Sequence, residues 1–196
     1  MAASETDRVL ERFVTEVRSA VPTVAVWAHG SLAMGDFQPG RSDLDLIAIV
    51  EIPLDGEHRD RLVGVHQRLL KEESAASKLH CSYLARTALS EAGADHFTWA
   101  HRMVRERPVT PVARRELLDR GPTLHGPSPT ELLPPLRPGQ LEDFIRRDLE
   151  EYWLPLTGKP LLWLRDVWVD LGLLVLARAT ATLRDGRLIL FEHVQL

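Results

Sequence analysis

The sequence has one cysteine, Cys81, among its 196 residues. That excludes a disulfide framework and any metal site built from several cysteines. A lone cysteine of this kind is expected to act as a small buried hydrophobe. Lysine is also scarce: Lys71, Lys78 and Lys159 are the whole set, so arginines make up nearly all of the 24 basic residues. That skew, with abundant Ala, Leu and Pro, points to a G+C-rich genome more than to a function. Set against 28 acidic residues, the basic ones give a formal net charge of −4. Global attraction to nucleic acid is therefore not expected. Long hydrophobic runs are missing, and stretches such as Leu171–Ala177 fall far short of a membrane span. The N-terminus is acidic and polar, without the basic-then-apolar pattern of a cleavable signal peptide. The histidines show no zinc-site spacing. A soluble, reduced, cytoplasmic protein without membrane partners is expected.

What is present is 44% hydrophobic and 27% charged, enough for a core of normal size. Thr6 to Ser19 reads as an amphipathic helix, with a capping box at Ser4 and Asp7 and an apolar stripe through Val9, Leu10, Phe13, Val14 and Val17. Val24–Ala28 reads as a buried strand stopped by Gly30-Ser31, Leu44–Val50 as a second strand, and Leu79–Leu84 as a third. Glu57 to Glu73 has helical spacing between the last two. Thr110 or Pro111 starts another helix, which Gly121 closes. The stretch from Ala85 to Met103 gives no clear pattern. Eight of the 13 prolines fall between Pro108 and Pro138 and mark a boundary. Beyond it, helices are expected from Pro138 to about Trp153 and from about Leu161 to Leu183. The expected organisation is an α/β unit over residues 1–128, a proline-rich linker over 129–137 and an all-α unit over 138–196.

The chemistry concentrates in the segment from Val24 to Ile49. A Gly30-Ser31 pair directly after a strand lets the backbone approach a phosphate, whose oxygens the N–H groups and hydroxyl can hold. Asp43 and Asp45 stand at i and i+2 at a strand entrance, so both side chains point to one face of the sheet. Two carboxylates held that close call for a cation between them, and hard Mg²⁺ bridging to substrate phosphates is the natural partner. Taken alone, each half reads as an ordinary turn or a capped strand. Together they describe a nucleoside triphosphate site.

Gly-Ser, about a dozen residues, then Ser-Asp-x-Asp and an apolar strand resembles the nucleotidyltransferase superfamily. Within it, the layout is most similar to the aminoglycoside adenylyltransferases that modify streptomycin and spectinomycin. The likeness continues through Asp119-Arg-Gly121-Pro-Thr-Leu-His-Gly126-Pro127 and through Leu173-Leu-Val-Leu-Ala-Arg178 with Gly186-Arg187-Leu188-Ile189. The resemblance implies an α+β nucleotidyltransferase fold, a small mixed sheet flanked by helices, followed by a partial all-α domain. It implies transfer of AMP from ATP to a hydroxyl of a small, aminoglycoside-like acceptor, with release of pyrophosphate. Asp43 and Asp45 would hold two Mg²⁺ ions, and Gly30 and Ser31 the triphosphate, with Arg41 and Asp36 in the intervening loop. Arg178 matches the family's phosphate-reaching arginine. Trp163, Asp166 and Asp170, at i, i+3 and i+7, would share a helix face and bind a cationic acceptor.

Two departures from the family stand out. The next strand supplies no third carboxylate, and His80 takes the matching place, where a neutral imidazole suits a base better than a Mg²⁺ ligand. Glu51, Glu72 and Glu73 are the alternatives if the chain returns them to the site. After Gly186-Arg-Leu-Ile189 the family's next basic residue and further helices are not found, so the helical domain is expected to be shortened, which favours either a homo-oligomer or a mobile C-terminal half. Stand-alone minimal nucleotidyltransferases share the signature and some modify proteins. A protein acceptor, and a nucleotide-binding module without turnover, therefore stay open beside the small-molecule reading.

Overall fold

The computed structural model describes residues 4–91, 93–186 and 188. The chain divides into two compact units, Met1–Pro135 and Leu136–Leu196.

The first unit opens with helix α1, Glu5–Ala20. Ser4 caps it: its hydroxyl accepts from the Asp7 N–H, and the Asp7 carboxylate accepts from the Ser4 N–H, both at 3.1 Å. Then come β1 (Thr23–Ala28), the single turn α2 (Ser31–Met34), β2 (Leu44–Val50), α3 (Gly56–Glu72) and β3 (Leu79–Ala85). A hairpin of β4 (Asp95–Ala100) and β5 (Met103–Pro108) follows, then α4 (Pro111–Arg120), β6 (Thr123–His125) and the short α5 (Pro129–Leu132). Helix α4 starts where Thr110 and Pro111 predict, with the Thr110 hydroxyl accepting from the Ala113 N–H at 3.2 Å.

The six strands form one mixed sheet in the order β5-β4-β3-β2-β1-β6. Only the β2–β3 pair is parallel, in the register Leu44↔Leu79 and Asp45↔His80. The β2–α3–β3 crossover therefore sets which β3 residue stands beside Asp45.

Strand alternation sends side chains to two cores. On one face Val26, Leu44, Leu46, Cys81 and Tyr83 pack with Val9, Phe13 and Val17 of α1 and Leu62, Val65 and Leu69 of α3. On the other, Trp27, Ile47, Ile49 and Leu84 pack with Val109, Leu117 of α4 and Leu133. Cys81 is 1% exposed, and burial pushes its thiol well above the ordinary range.

The hairpin β4–β5 occupies the stretch that gives no pattern in the sequence. Its connection is His101-Arg102, both at positive φ (52° and 64°). Two-residue hairpin loops want that backbone but usually fill it with Asn or Gly, so the common signal is absent.

The second unit begins with α6, Gln140–Asp148, which continues through a wider π turn, Leu149–Trp153, into α7, Leu154–Thr157. The wide turn lies directly ahead of Pro155, which lacks an N–H and whose ring crowds the regular i−4 carbonyl. Helix α8 spans Asp166–Asp185, starting later than the expected Leu161. Trp163 precedes it, so Trp163, Asp166 and Asp170 do not share one helix face. Instead the Trp163 indole N–H donates to the Leu156 carbonyl at 2.8 Å, and its ring lies where a Cβ on Gly172 would come within 2.7 Å. No helix among the described residues is long and apolar enough to cross a membrane.

Candidate active site

Strand β1 ends at Ala28, and the backbone turns sharply. The His29 N–H donates to the Asp45 carbonyl at 2.9 Å, which ties the turn to β2. Gly30 has φ 60° and ψ −139°, a conformation closed to side-chain-bearing residues. A Cβ there would stand 2.7 Å from Asp45 Oδ2. The glycine is therefore required twice, by its torsion angles and by the carboxylate against it. Ser31 follows, and its Oγ is buried without a hydrogen-bond partner. A buried hydroxyl without a partner marks a place for a polar ligand.

Asp43 lies in the bend before β2, its Oδ1 3.4 Å from Lys78 Nζ. Asp45 is the second residue of β2, and its Oδ1 is 3.3 Å from Nδ1 of His80, its neighbour on β3. Burial opposes ionisation of Asp45, but the His80 hydrogen bond and the charges of His29, His80 and Arg107 win and hold its carboxyl below the usual value. The His80 ring meets His101 edge-on at 4.5 Å. Burial lowers His101, and the neighbouring His80 lowers it further.

His80 lines two cavities of ≈ 260 Å³ each. One also holds His29, Asp45, Ser82, Thr98 and Arg107. The other holds Asp43, Lys78, His101 and Arg102. The structure thus brings Gly30 against Asp45 and Asp45 against His80, with Ser31 next in sequence to Gly30, and Asp43 shares the second cavity with His80. Arg41 lies in the loop before β2 with its side chain exposed, its carbonyl accepting from Lys78 Nζ at 3.2 Å.

The remaining expected residues lie elsewhere. Arg178, half-buried, and Asp166 and Asp170, exposed, belong to α8 of the second unit. Arg187 and Ile189 of the expected turn fall outside the described residues. Glu72 and Glu73 pair with Arg12 of α1, and Glu51 with Arg86, so none of the three alternative carboxylates comes to Asp45.

A carboxylate that the sequence does not advertise does reach the turn. Glu116, in the middle of α4, is 7% exposed. Its Oε2 accepts from the Gly30 N–H at 3.0 Å and stands 3.3 Å from His29 Nδ1. Gly30, read in the sequence as a phosphate-binding amide, spends its N–H on this carboxylate.

Among the described residues, no group of three or more His, Cys, Asp or Glu side chains could hold a metal. The donor chemistry nonetheless fits Mg²⁺, which takes one or two carboxylates and completes its octahedron with substrate phosphates and water. The glycine-lined approach and the orphaned Ser31 hydroxyl fit a phosphate in the same way.

Residues 10–92 match the family model of the nucleotidyltransferase domain. The match covers less than half of the chain. The matched span runs from α1 through β3 and includes Gly30, Ser31, Asp43, Asp45 and His80. A solved structure, spectinomycin adenyltransferase AAD(9) from Enterococcus faecialis with ATP and spectinomycin, aligns with a TM-score of 0.73 at 13% identity. The alignment covers 93% of this chain and 77% of that one. At that identity the likeness establishes a shared fold. A toxin–antitoxin structure with AMP-PNP aligns at a TM-score of 0.37 and 13% identity over 77% of this chain and 92% of that one, too weak to carry an argument. No curated protein matches the sequence. The fold is thus that of the spectinomycin adenyltransferase structure, and the family model matches the part of it that holds the Gly30-Ser31 and Asp43-x-Asp45 pairs.

Proposed function

We propose that the chain is a metal-dependent nucleotidyltransferase that moves AMP from ATP to a hydroxyl of a small molecule. The observation that carries this reading is a Gly30 that admits no Cβ against the half-buried Asp45 carboxylate, itself beside His80, with the orphaned Ser31 hydroxyl next in sequence.

In the proposed reaction the acceptor oxygen attacks the α-phosphorus in line. A new P–O bond forms, the bond to the bridging oxygen breaks, and pyrophosphate leaves. Ser31 binds the triphosphate through its hydroxyl, and Gly30 keeps the approach open. Asp43 and Asp45 would hold Mg²⁺, which when bound neutralises charge on the phosphate oxygens. His80, fixed through Nδ1 by Asp45, takes the hydroxyl proton on Nε2. Arg41 stands in the loop as a further phosphate contact. The spectinomycin bound to the structural neighbour makes aminoglycosides the first acceptors to try.

The test is pyrophosphate release from Mg-ATP in the presence of a panel of aminoglycosides and other polyols. Release above background that Asp43→Ala abolishes is the expected result. Background release, with Asp43→Ala indistinguishable from the unaltered chain, would refute turnover.

A further inference from the structure

We infer that Glu116 is a positioning residue that sets the Gly30–Ser31 turn for the nucleotide. This rests on the nucleotidyl-transfer reading and adds a residue 86 positions along the chain from the motif.

Glu116 is nearly fully buried, and a carboxylate is rarely placed there without a partner it must hold. Its partners are both in the turn: one oxygen accepts from the Gly30 N–H at 3.0 Å and faces His29 Nδ1 at 3.3 Å. The Gly30 carbonyl accepts from the Met34 N–H of α2 at 3.0 Å, but the Gly30 N–H points away from that helix and the glycine's φ of 60° and ψ of −139° leave it many other conformations to choose from. A charge-assisted hydrogen bond from behind supplies the restraint. On the ligand side, the Ser31 hydroxyl next in sequence is buried and unpaired. The division of labour follows. Glu116 takes the Gly30 amide, and that bond aims the Ser31 hydroxyl at the phosphate. Glu116 itself touches no substrate; it acts through the turn.

The test combines four variants and two readouts. Mg-ATP affinity is measured by calorimetry for Glu116→Ala, Glu116→Gln, Ser31→Ala and the Glu116→Ala/Ser31→Ala double variant. Exchange of the Gly30 amide is followed without nucleotide. Glu116→Ala should weaken Mg-ATP about tenfold, the worth of one hydrogen bond. Glu116→Gln, which keeps an acceptor oxygen, should restore affinity to within about twofold. Gly30 exchange should accelerate in Glu116→Ala and not in Glu116→Gln. Because the glutamate acts through Ser31, the double variant should bind no more weakly than Ser31→Ala alone.

Additive losses in the double variant would overturn the inference, because a merely structural carboxylate lowers affinity independently of Ser31. Unchanged affinity in Glu116→Ala, or failure of glutamine to rescue, would overturn it as well. If the unaltered chain does not bind Mg-ATP, the nucleotide reading fails and takes the assignment to the nucleotide with it. Gly30 exchange then still reports separately whether Glu116 holds the turn.

Discussion

Replacing Gly30 by alanine separates two demands that the site makes on one position. A side chain at φ 60° and ψ −139° costs ~1–3 kcal/mol in backbone strain. The new Cβ would also stand 2.7 Å from Asp45 Oδ2, and that carboxylate has little room to retreat because it is tied to His80 Nδ1 at 3.3 Å. Displacing it forfeits a hydrogen bond to a charged group, ~1.5–3 kcal/mol. The sum is about 4 kcal/mol, below the ~5–15 kcal/mol of a normal domain, so the variant stays folded at 25 °C. Gly35 is the control. It has φ 77° and ψ 12°, with nothing within 4 Å of a built Cβ, so Gly35→Ala bears only the left-handed strain, ~1–2 kcal/mol. Urea denaturation should place Gly30→Ala about 2 kcal/mol below Gly35→Ala. Calorimetry should show Mg-ATP binding lost in the first and kept in the second. Equal stabilities, or intact nucleotide binding in Gly30→Ala, would refute the claim that the Asp45 carboxylate closes this position to a side chain.

Two further outcomes follow from groups buried in the sheet core. His66 stacks on Trp99 at 4.8 Å, its Nε2 is 2.8 Å from the Tyr83 hydroxyl, and burial pushes its pKa down to about 3. Its unfolded value is near 6.5, so its contribution is fully present above that pH and is lost as pH falls toward 3. At pH 5 the loss is about 2 kcal/mol, and His66→Phe should flatten the urea-measured stability between pH 7 and 5 by that amount; an unchanged slope would contradict it. The Cys81 thiol, pushed high by burial, should react with an aromatic disulfide reagent only as fast as the domain opens. Rapid reaction under native conditions would show that the β2–β3 core is not closed around it.

What the sequence discloses is what is coded locally. The α1 cap, strands β1 to β3 and the Gly30-Ser31 and Asp43-x-Asp45 pairs each depend on residues a few positions apart, and their periods survive in the structure. The β4–β5 hairpin escapes because its turn is His101-Arg102 and because β5 reads Met-Val-Arg-Glu-Arg-Pro with every residue exposed, leaving no alternation to detect. Glu116 escapes for a different reason. In Pro-Val-Ala-Arg-Arg-Glu-Leu-Leu-Asp-Arg it looks like one solvated charge among several on a helix, and only the packing of α4 against the sheet buries it. Trp163 was expected inside a helix by spacing, but its ring needs the bare backbone of Gly172, and the helix begins after it.

The parallel register of β2 and β3 gives a physical account of the absent third carboxylate. Asp45 stands opposite His80, and Asp43, two residues earlier, reaches Lys78, two residues before His80. Two acidic side chains on one strand entrance thus meet an ammonium and an imidazole on the next, rung against rung. A third carboxylate at position 80 would place a further negative charge against Asp45, tolerable only with divalent cations holding all three. An imidazole there relieves the repulsion within the protein itself. With Arg102 and Arg107 lining the same cavities, more positive charge beside the two aspartates is then built into the chain. In the proposed reaction the two carboxylates would hold the phosphate-bridging metal, and the remaining electrostatic work would fall to the strand that carries His80 and the hairpin beside it.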